Sequence, residues 1–107
     1  MTFKIKQNDT SPILAATLKD ADGTAVNLNG ASIRFHMRKV GKATAAVDAA
    51  ATITGALTGQ VQYAWSASDT ATIGTYHGEF EVTYSDSSIE TFPNSGFIAV
   101  EITDDLA

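Results

Sequence analysis

Alternation of apolar and polar residues runs through most of the chain. From Ser32 to Lys39, the apolar Ile33, Phe35 and Met37 alternate with Arg34, His36 and Arg38. From Tyr76 to Tyr84, the residues Tyr76, Gly78, Phe80, Val82 and Tyr84 alternate with His77, Glu79, Glu81 and Thr83. A period of two over such lengths predicts half-buried strands with one wet face. Shorter alternations predict strands at Phe3–Ile5, Leu14-Ala16-Leu18, Val47-Ala49-Ala51-Ile53, Val61-Tyr63-Trp65 and Ile98-Val100-Ile102. Val26 and Leu28 suggest a short edge extension.

Turn signals separate these runs. Asp20-Ala21-Asp22-Gly23 reads as a turn in which glycine supplies a positive φ without steric cost. Asn29-Gly30, the Gly55–Gly59 stretch and Asp86-Ser87-Ser88 mark further reversals. Pro12 and Pro93 lack the amide hydrogen that a ladder needs, so each marks an edge, a bulge or a strand switch. Pro93-Asn94-Ser95-Gly96 is therefore predicted to kink the last strand region. The alanine-rich stretch 42–51 is open to a helical turn, since alanine favours helix. Val47 and Thr52-Ile53-Thr54 keep the sheet period and favour strand. One helical turn is predicted at Ser68-Asp69-Thr70-Ala71, capped by Ser68. Seven to eight short strands without a long helix predict an all-β, immunoglobulin-like antiparallel β-sandwich. Tyr76, preceded by Asp69-Thr70-Ala71 and Gly74-Thr75, matches a tyrosine corner, in which a buried phenol bonds back to upstream backbone near Asp69.

Composition narrows the function without naming it. The 107 residues are 44% hydrophobic and 18% charged, which is a globular balance. The scaling of folded surface predicts roughly 65% burial, enough for one modest core, so residues 1–107 are expected to form a single domain. Cysteine is absent, which removes disulfides, thiolate metal sites and cysteine nucleophiles together. The net charge of -5 argues against a nucleic-acid surface. No apolar run reaches the ~20 residues of a membrane span, and no signal-peptide core follows the N-terminus.

Candidate chemistry is sparse. His36 and His77 fall on the polar parity of their strands beside Arg34, Arg38, Glu79 and Glu81, on an open face where a nucleophile–base pair gains nothing. Two histidines with scattered carboxylates are too few for a zinc site. The Asp20–Gly23 turn lacks the terminal glutamate of a calcium loop, and the glycines lack the lysine of a phosphate loop. Trp65 and Tyr63 share the parity of Val61 and are expected in the core. Arg34 and Arg38 are expected to face Glu79 and Glu81 across neighbouring strands, with His36 exposed among them. No catalytic residue, metal ligand or cofactor is predicted.

Several segments, in order, resemble the immunoglobulin-like domain at the N-terminus of phage baseplate upper proteins. They begin with Phe3-Lys4-Ile5-Lys6-Gln7-Asn8-Asp9-Thr10, Leu18-Lys19-Asp20-Ala21-Asp22-Gly23, Val26-Asn27-Leu28-Asn29-Gly30-Ala31 and Gly59-Gln60-Val61-Gln62-Tyr63-Ala64-Trp65. Asp69-Thr70-Ala71, Gly74-Thr75-Tyr76, Glu79-Phe80-Glu81-Val82 and Thr91-Phe92-Pro93-Asn94 continue the series. The resemblance implies a non-enzymatic virion structural protein that joins a tail or baseplate core to fibres. Such proteins usually continue into longer chains, whereas this sequence stops at Asp104-Asp105-Leu106-Ala107, which also suits a capsid decoration protein.

The expected partners are other virion proteins and further copies of the chain. A host-surface glycan is the alternative, bound by loop aromatics such as Phe92 or Phe97. Neither nucleic acid nor membrane is an expected partner. The expected location is the virion, with assembly in the host bacterial cytoplasm. If Ile98, Val100 and Ile102 face inward, Phe97 and Ala99 face outward beside a proline-interrupted edge. The expected interface is therefore Phe92, Pro93 and Phe97.

Overall fold

Ten residues of unbroken alternation make Gly74–Thr83 the longest strand, and the larger of two sheets is built around it. The computed structural model describes residues 2–106. Its strands are β1 (Thr2–Lys6), β2 (Leu14–Thr17), β3 (Ser32–Lys39), β4 (Val47–Ala50) and β5 (Thr52–Gly55). They continue with β6 (Gln60–Tyr63), β7 (Gly74–Thr83), β8 (Ile89–Phe92) and β9 (Ile98–Thr103). The larger sheet runs β1-β9-β7-β3-β4, and the smaller runs β2-β6-β5. β9 covers the first half of one β7 edge and β8 the second, so the two form one long strand interrupted by residues 93–97. β1 lies parallel to β9, and the remaining pairings are antiparallel.

The inward parity read from the sequence is the observed core. Ile33, Phe35, Met37, Tyr76, Phe80, Val82, Val100 and Ile102 of the larger sheet are buried against Leu14, Val61, Tyr63 and Trp65 of the smaller sheet and its extension. The Phe35 ring meets Tyr63 at 4.8 Å, Phe80 at 5.1 Å and the edge of Trp65 at 5.7 Å between centroids. Trp65 and Tyr63 are thus core residues, as their parity implied.

Several local expectations need correction. The all-β sandwich is as expected, but the described residues form nine strands where seven to eight were expected. Part of the difference comes from the 47–55 stretch, whose alternation continues unbroken while its pairing changes sheet. β4 pairs with β3, and β5 pairs with β6 in the other sheet. Ala51 makes the crossing, donating its amide to the Ile33 carbonyl at 3.0 Å. Parity cannot reveal such a switch, because the same side chains stay inward. Val26 and Leu28 form no strand; an isolated Lys19–Ala25 bridge is the only ladder contact there among the described residues. Leu28 is nevertheless buried, with its amide donating to the Ala56 carbonyl at 2.8 Å. The predicted helical turn is a 3-10 turn at Ala67–Thr70, and its capping position is Ser66 rather than Ser68. The reason is Asp69, whose Oδ2 accepts the Ser66 amide at 2.9 Å and draws the turn's start two residues earlier.

Two tyrosines tie that turn to the core. Tyr63 Oη donates to Asp69 Oδ2 at 2.5 Å. Tyr76 is 3% exposed, and its hydroxyl donates to the Thr72 carbonyl at 2.7 Å, which is the tyrosine corner. Burial of a phenol beside backbone is tolerable only while its hydroxyl keeps an acceptor. Tyr76→Phe is expected to cost about 1–2 kcal/mol, the lost bond plus the stranded carbonyl. The denaturant midpoint of the variant reads this directly, and an unchanged midpoint would contradict the corner's role.

Candidate interaction surface

The outer face of the larger sheet carries opposite charges in register. Arg34 lies opposite Glu81, His36 opposite Glu79, and Arg38 opposite His77, so β3 and β7 are neighbours as expected. The ion pair itself runs the other way. Arg34 Nε reaches Asp48 Oδ1 on β4 at 2.8 Å, and Nη2 donates to the Asp48 carbonyl at 2.8 Å. The guanidinium holds Asp48 below the usual carboxylate range. His36 sits between Asp48 at 3.2 Å and Glu79 at 3.8 Å and is half-buried rather than exposed. The correction follows from β4, whose edge position places a carboxylate beside Arg34 and His36. Among the described residues, no group of three or more histidines and carboxylates could hold a metal ion.

The 93–97 interruption is a built feature. Glu90 anchors it with both oxygens: Oε1 accepts the Tyr84 hydroxyl at 2.8 Å, and Oε2 accepts Asn94 Nδ2 at 3.2 Å. The same Asn94 amide donates to the Thr91 carbonyl at 3.0 Å. Gly96 has φ +79, which lets the chain return to the sheet. Phe97 then emerges 55% exposed with its ring stacked on His77, 4.5 Å between centroids and 3° from parallel. Phe92 is 2% exposed, packed in the core opposite Phe80, and so is removed as a surface contact. Its ladder parity points it inward, and the loop begins only one residue later. Pro93 is half-buried at the loop's base.

Two openings meet at Phe97. A shallow depression of about 300 Å³ lies on the charged face, lined by His36, Arg38, Asp48, His77, Glu79 and Phe97 among others. A larger cleft of about 590 Å³ opens at the β2 side of the sandwich, with Phe3, Phe97 and Ile98 on one wall and β2, Val61, Gln60 and Thr54 on the other. Sequence reasoning missed this cleft, because it depends on which strand ends a sheet. The nearest signal was the brevity of the β2 alternation between Pro12 and the Asp20–Gly23 turn.

The family model of the BppU N-terminal domain matches residues 2–105, almost the whole chain. The chain belongs to this family. No curated protein matches it. The family is that of the phage baseplate upper protein, so the chain is a phage baseplate structural domain that interacts with other virion proteins. The resemblance noted from the ordered segments and the family match thus agree over the same stretch.

The Glu90 anchor makes an alkaline prediction. Burial first, and then the Glu90 carboxylate, pushes the Tyr84 phenol up to about 12 from its ordinary 10.0. A raised folded value means that the folded chain holds the proton more tightly. The associated stability is therefore intact below pH 10 and lost as pH rises through about 12. Tyr63 and Tyr76 shift in the same direction, with burial the largest cause in each. The denaturant midpoint should stay level up to pH 10 and fall between there and 12, less steeply for Tyr84→Phe.

Proposed function

We propose that the chain is a non-enzymatic adaptor of the tail, baseplate or fibre, present in several copies per particle and working through protein–protein contacts. The observation that carries this reading is Phe97, an exposed aromatic on a loop anchored at Glu90, next to a cleft at the β2 side of the sandwich. Burying such a ring against a partner gains roughly 1.5–3 kcal/mol. A contact of that size is weak alone and becomes effective when repeated on a symmetric particle. The chain acts as one domain within the virion and is made in the host cytoplasm, where the absence of cysteine suits a reducing compartment. Its acidic balance gives nucleic acid no attractive field.

A glycan-binding role is the second reading, favoured by the depression that Phe97 shares with His77, Glu79 and Arg38. It ranks lower because Asp48 is committed to Arg34 and His36, and one face of the Phe97 ring is covered by His77. Few groups remain to bond sugar hydroxyls.

Phe97→Ser introduced into the phage separates these readings. The variant should remain a folded chain and enter particles at reduced copy number. Normal copy number with lost adsorption to the host would favour the glycan reading. Normal copy number with normal adsorption would remove this surface from both.

A further inference from the structure

The two sheets are unequal, and the mismatch leaves a place for one more strand. β2 ends the smaller sheet with β6 as its neighbour. The Leu18 amide donates to the Gly59 carbonyl at 2.7 Å, on the β6 side. By antiparallel alternation, Ala16 and Leu14 also turn their backbone groups towards β6, while Ala15 and Thr17 turn theirs away. Leu14, Ala15, Ala16 and Thr17 all line the 590 Å³ cleft. Inward Leu14 and Ala16 and outward Ala15 and Thr17 border the same opening, which therefore reaches round the free edge of β2 and extends to Gln60 and Thr54 on the outer face. A second opening of about 280 Å³ continues along Ala16, Thr17, Leu18 and Lys19, facing Pro93 and Ile98. Together they form a slot along six residues of chain, roughly 20 Å at strand rise.

We infer that this slot takes an extended segment of another virion protein, which adds as a strand to the free edge of β2. The inference rests on the adaptor reading and names the partner's chemistry. Unpaired amides and carbonyls at Ala15 and Thr17 call for a backbone, not a small molecule. The far wall is apolar at Phe3 and Ile98, so alternate residues of the segment should be apolar. The one charge along the slot is Lys19, whose ammonium has no ion-pair partner among the described residues. An antiparallel segment begins at that end, so a carboxylate near its N-terminus complements the site. A second copy of this chain fits poorly. Its β2 would bring inward side chains, Leu14 and Leu18, already buried in its own core, leaving the slot unfilled.

The edge carries no charge and no proline between Leu14 and Leu18, so nothing in the sequence blocks pairing there. Thr17→Pro removes an outward amide that the β6 ladder does not use, and Lys19→Glu reverses an exposed charge. Both should keep the fold, checked by circular dichroism and the thermal midpoint.

The probe is the peptide acetyl-Glu-Thr-Val-Thr-Val-Thr-Val-amide, titrated into isotopically labelled chain. Amide resonances of Ala15 and Thr17 should shift and exchange more slowly, with changes at Phe3 and Ile98. Trp65, the chain's one tryptophan, stacks 5.7 Å from Phe3 and supplies a fluorescence readout. Lys19→Glu should weaken binding about two- to five-fold, and a peptide with lysine first should recover it, the range of an exposed ion pair. Thr17→Pro should abolish binding and lower incorporation into particles. No shift at millimolar peptide would overturn the inference, as would shifts confined to other residues. Protection of Ala15 and Thr17 that grows with chain concentration, without peptide, would overturn it in favour of self-pairing. Normal incorporation of Thr17→Pro would overturn the slot while leaving the adaptor role intact. Absence of the wild-type chain from particles would instead overturn the adaptor role.

Discussion

The Phe35 ring holds the two sheets together. It is fully buried on β3 and contacts Tyr63 from the smaller sheet, Trp65 two residues beyond it and Phe80 from its own sheet. Aromatic contacts of this kind add about 0.5–1.5 kcal/mol each beyond their buried area. The ring has space because Gly78 stands next to it: a Cβ there would come within 2.9 Å of Phe35 Cζ. Gly78 lies on the core parity of β7 where a larger residue would otherwise be expected. The exchange of a side chain on β7 for a ring from β3 fixes how closely the sheets approach. The tyrosine corner and the Asp69 turn then close the end of β7 over the same cluster.

With the spacing set at that point, the unequal widths of the sheets decide what is left open. The chain crosses from one sheet to the other at Ala51, a residue small enough to pass between them without leaving the inward parity. On the opposite side the residues that join β1 to β2 form no strand, so β1 ends the larger sheet and β2 the smaller with no strand bridging them. The same imbalance explains the loop. β7 has ten residues, and its partners on one edge supply four and six, with the 93–97 excursion between them. Glu90 stabilises that excursion from within the sheet, through Tyr84 and Asn94.

Much of this was legible in the sequence because parity is a local property. The strands at Ser32–Lys39 and Tyr76–Tyr84, their pairing and the burial of Tyr63, Trp65 and Tyr76 follow from alternation and one tyrosine pattern. What was not legible depends on partners distant along the chain. Arg34 chose Asp48 over Glu81 because β4 lies beside it, and Asp48 sits within an alanine-rich stretch whose own conformation was ambiguous. Phe92 looked like a loop aromatic because proline follows it, yet the ladder to Phe80 continues to that residue. Leu28 is core without being strand, its amide donating to the Ala56 carbonyl at the start of the 3-10 turn Ala56–Thr58 and its carbonyl accepting from Ala31. The cleft beside β2 requires the whole strand order and has no local signature at all. Phe97 was legible, since its outward direction needed only the parity of the strand that follows.

Charge is distributed unevenly between the two outer faces, and this governs how a partner can approach. The larger sheet presents Lys4, Arg34, Arg38, Asp48, Glu79, Glu81 and Glu101 on its outer face, arranged so that opposite signs neighbour each other across strands. Covering that face would strip water from many charges, of which Arg34, His36, Asp48 and Glu79 are paired among themselves, at a desolvation cost the new contacts must exceed. The smaller sheet presents Ala15, Thr17, Thr52, Thr54, Gln60 and Gln62, with no charge among them. Interface centres are depleted in charge for the same reason. Phe97 projects from the interrupted edge between these two surfaces, and β2 has its free edge on the same side. The cheapest approach for a partner is therefore along the uncharged sheet and its edge, with the charged face left in water. The partner-facing and solvent-facing sides of the domain would then be distinguished by desolvation alone, before any specific contact is made.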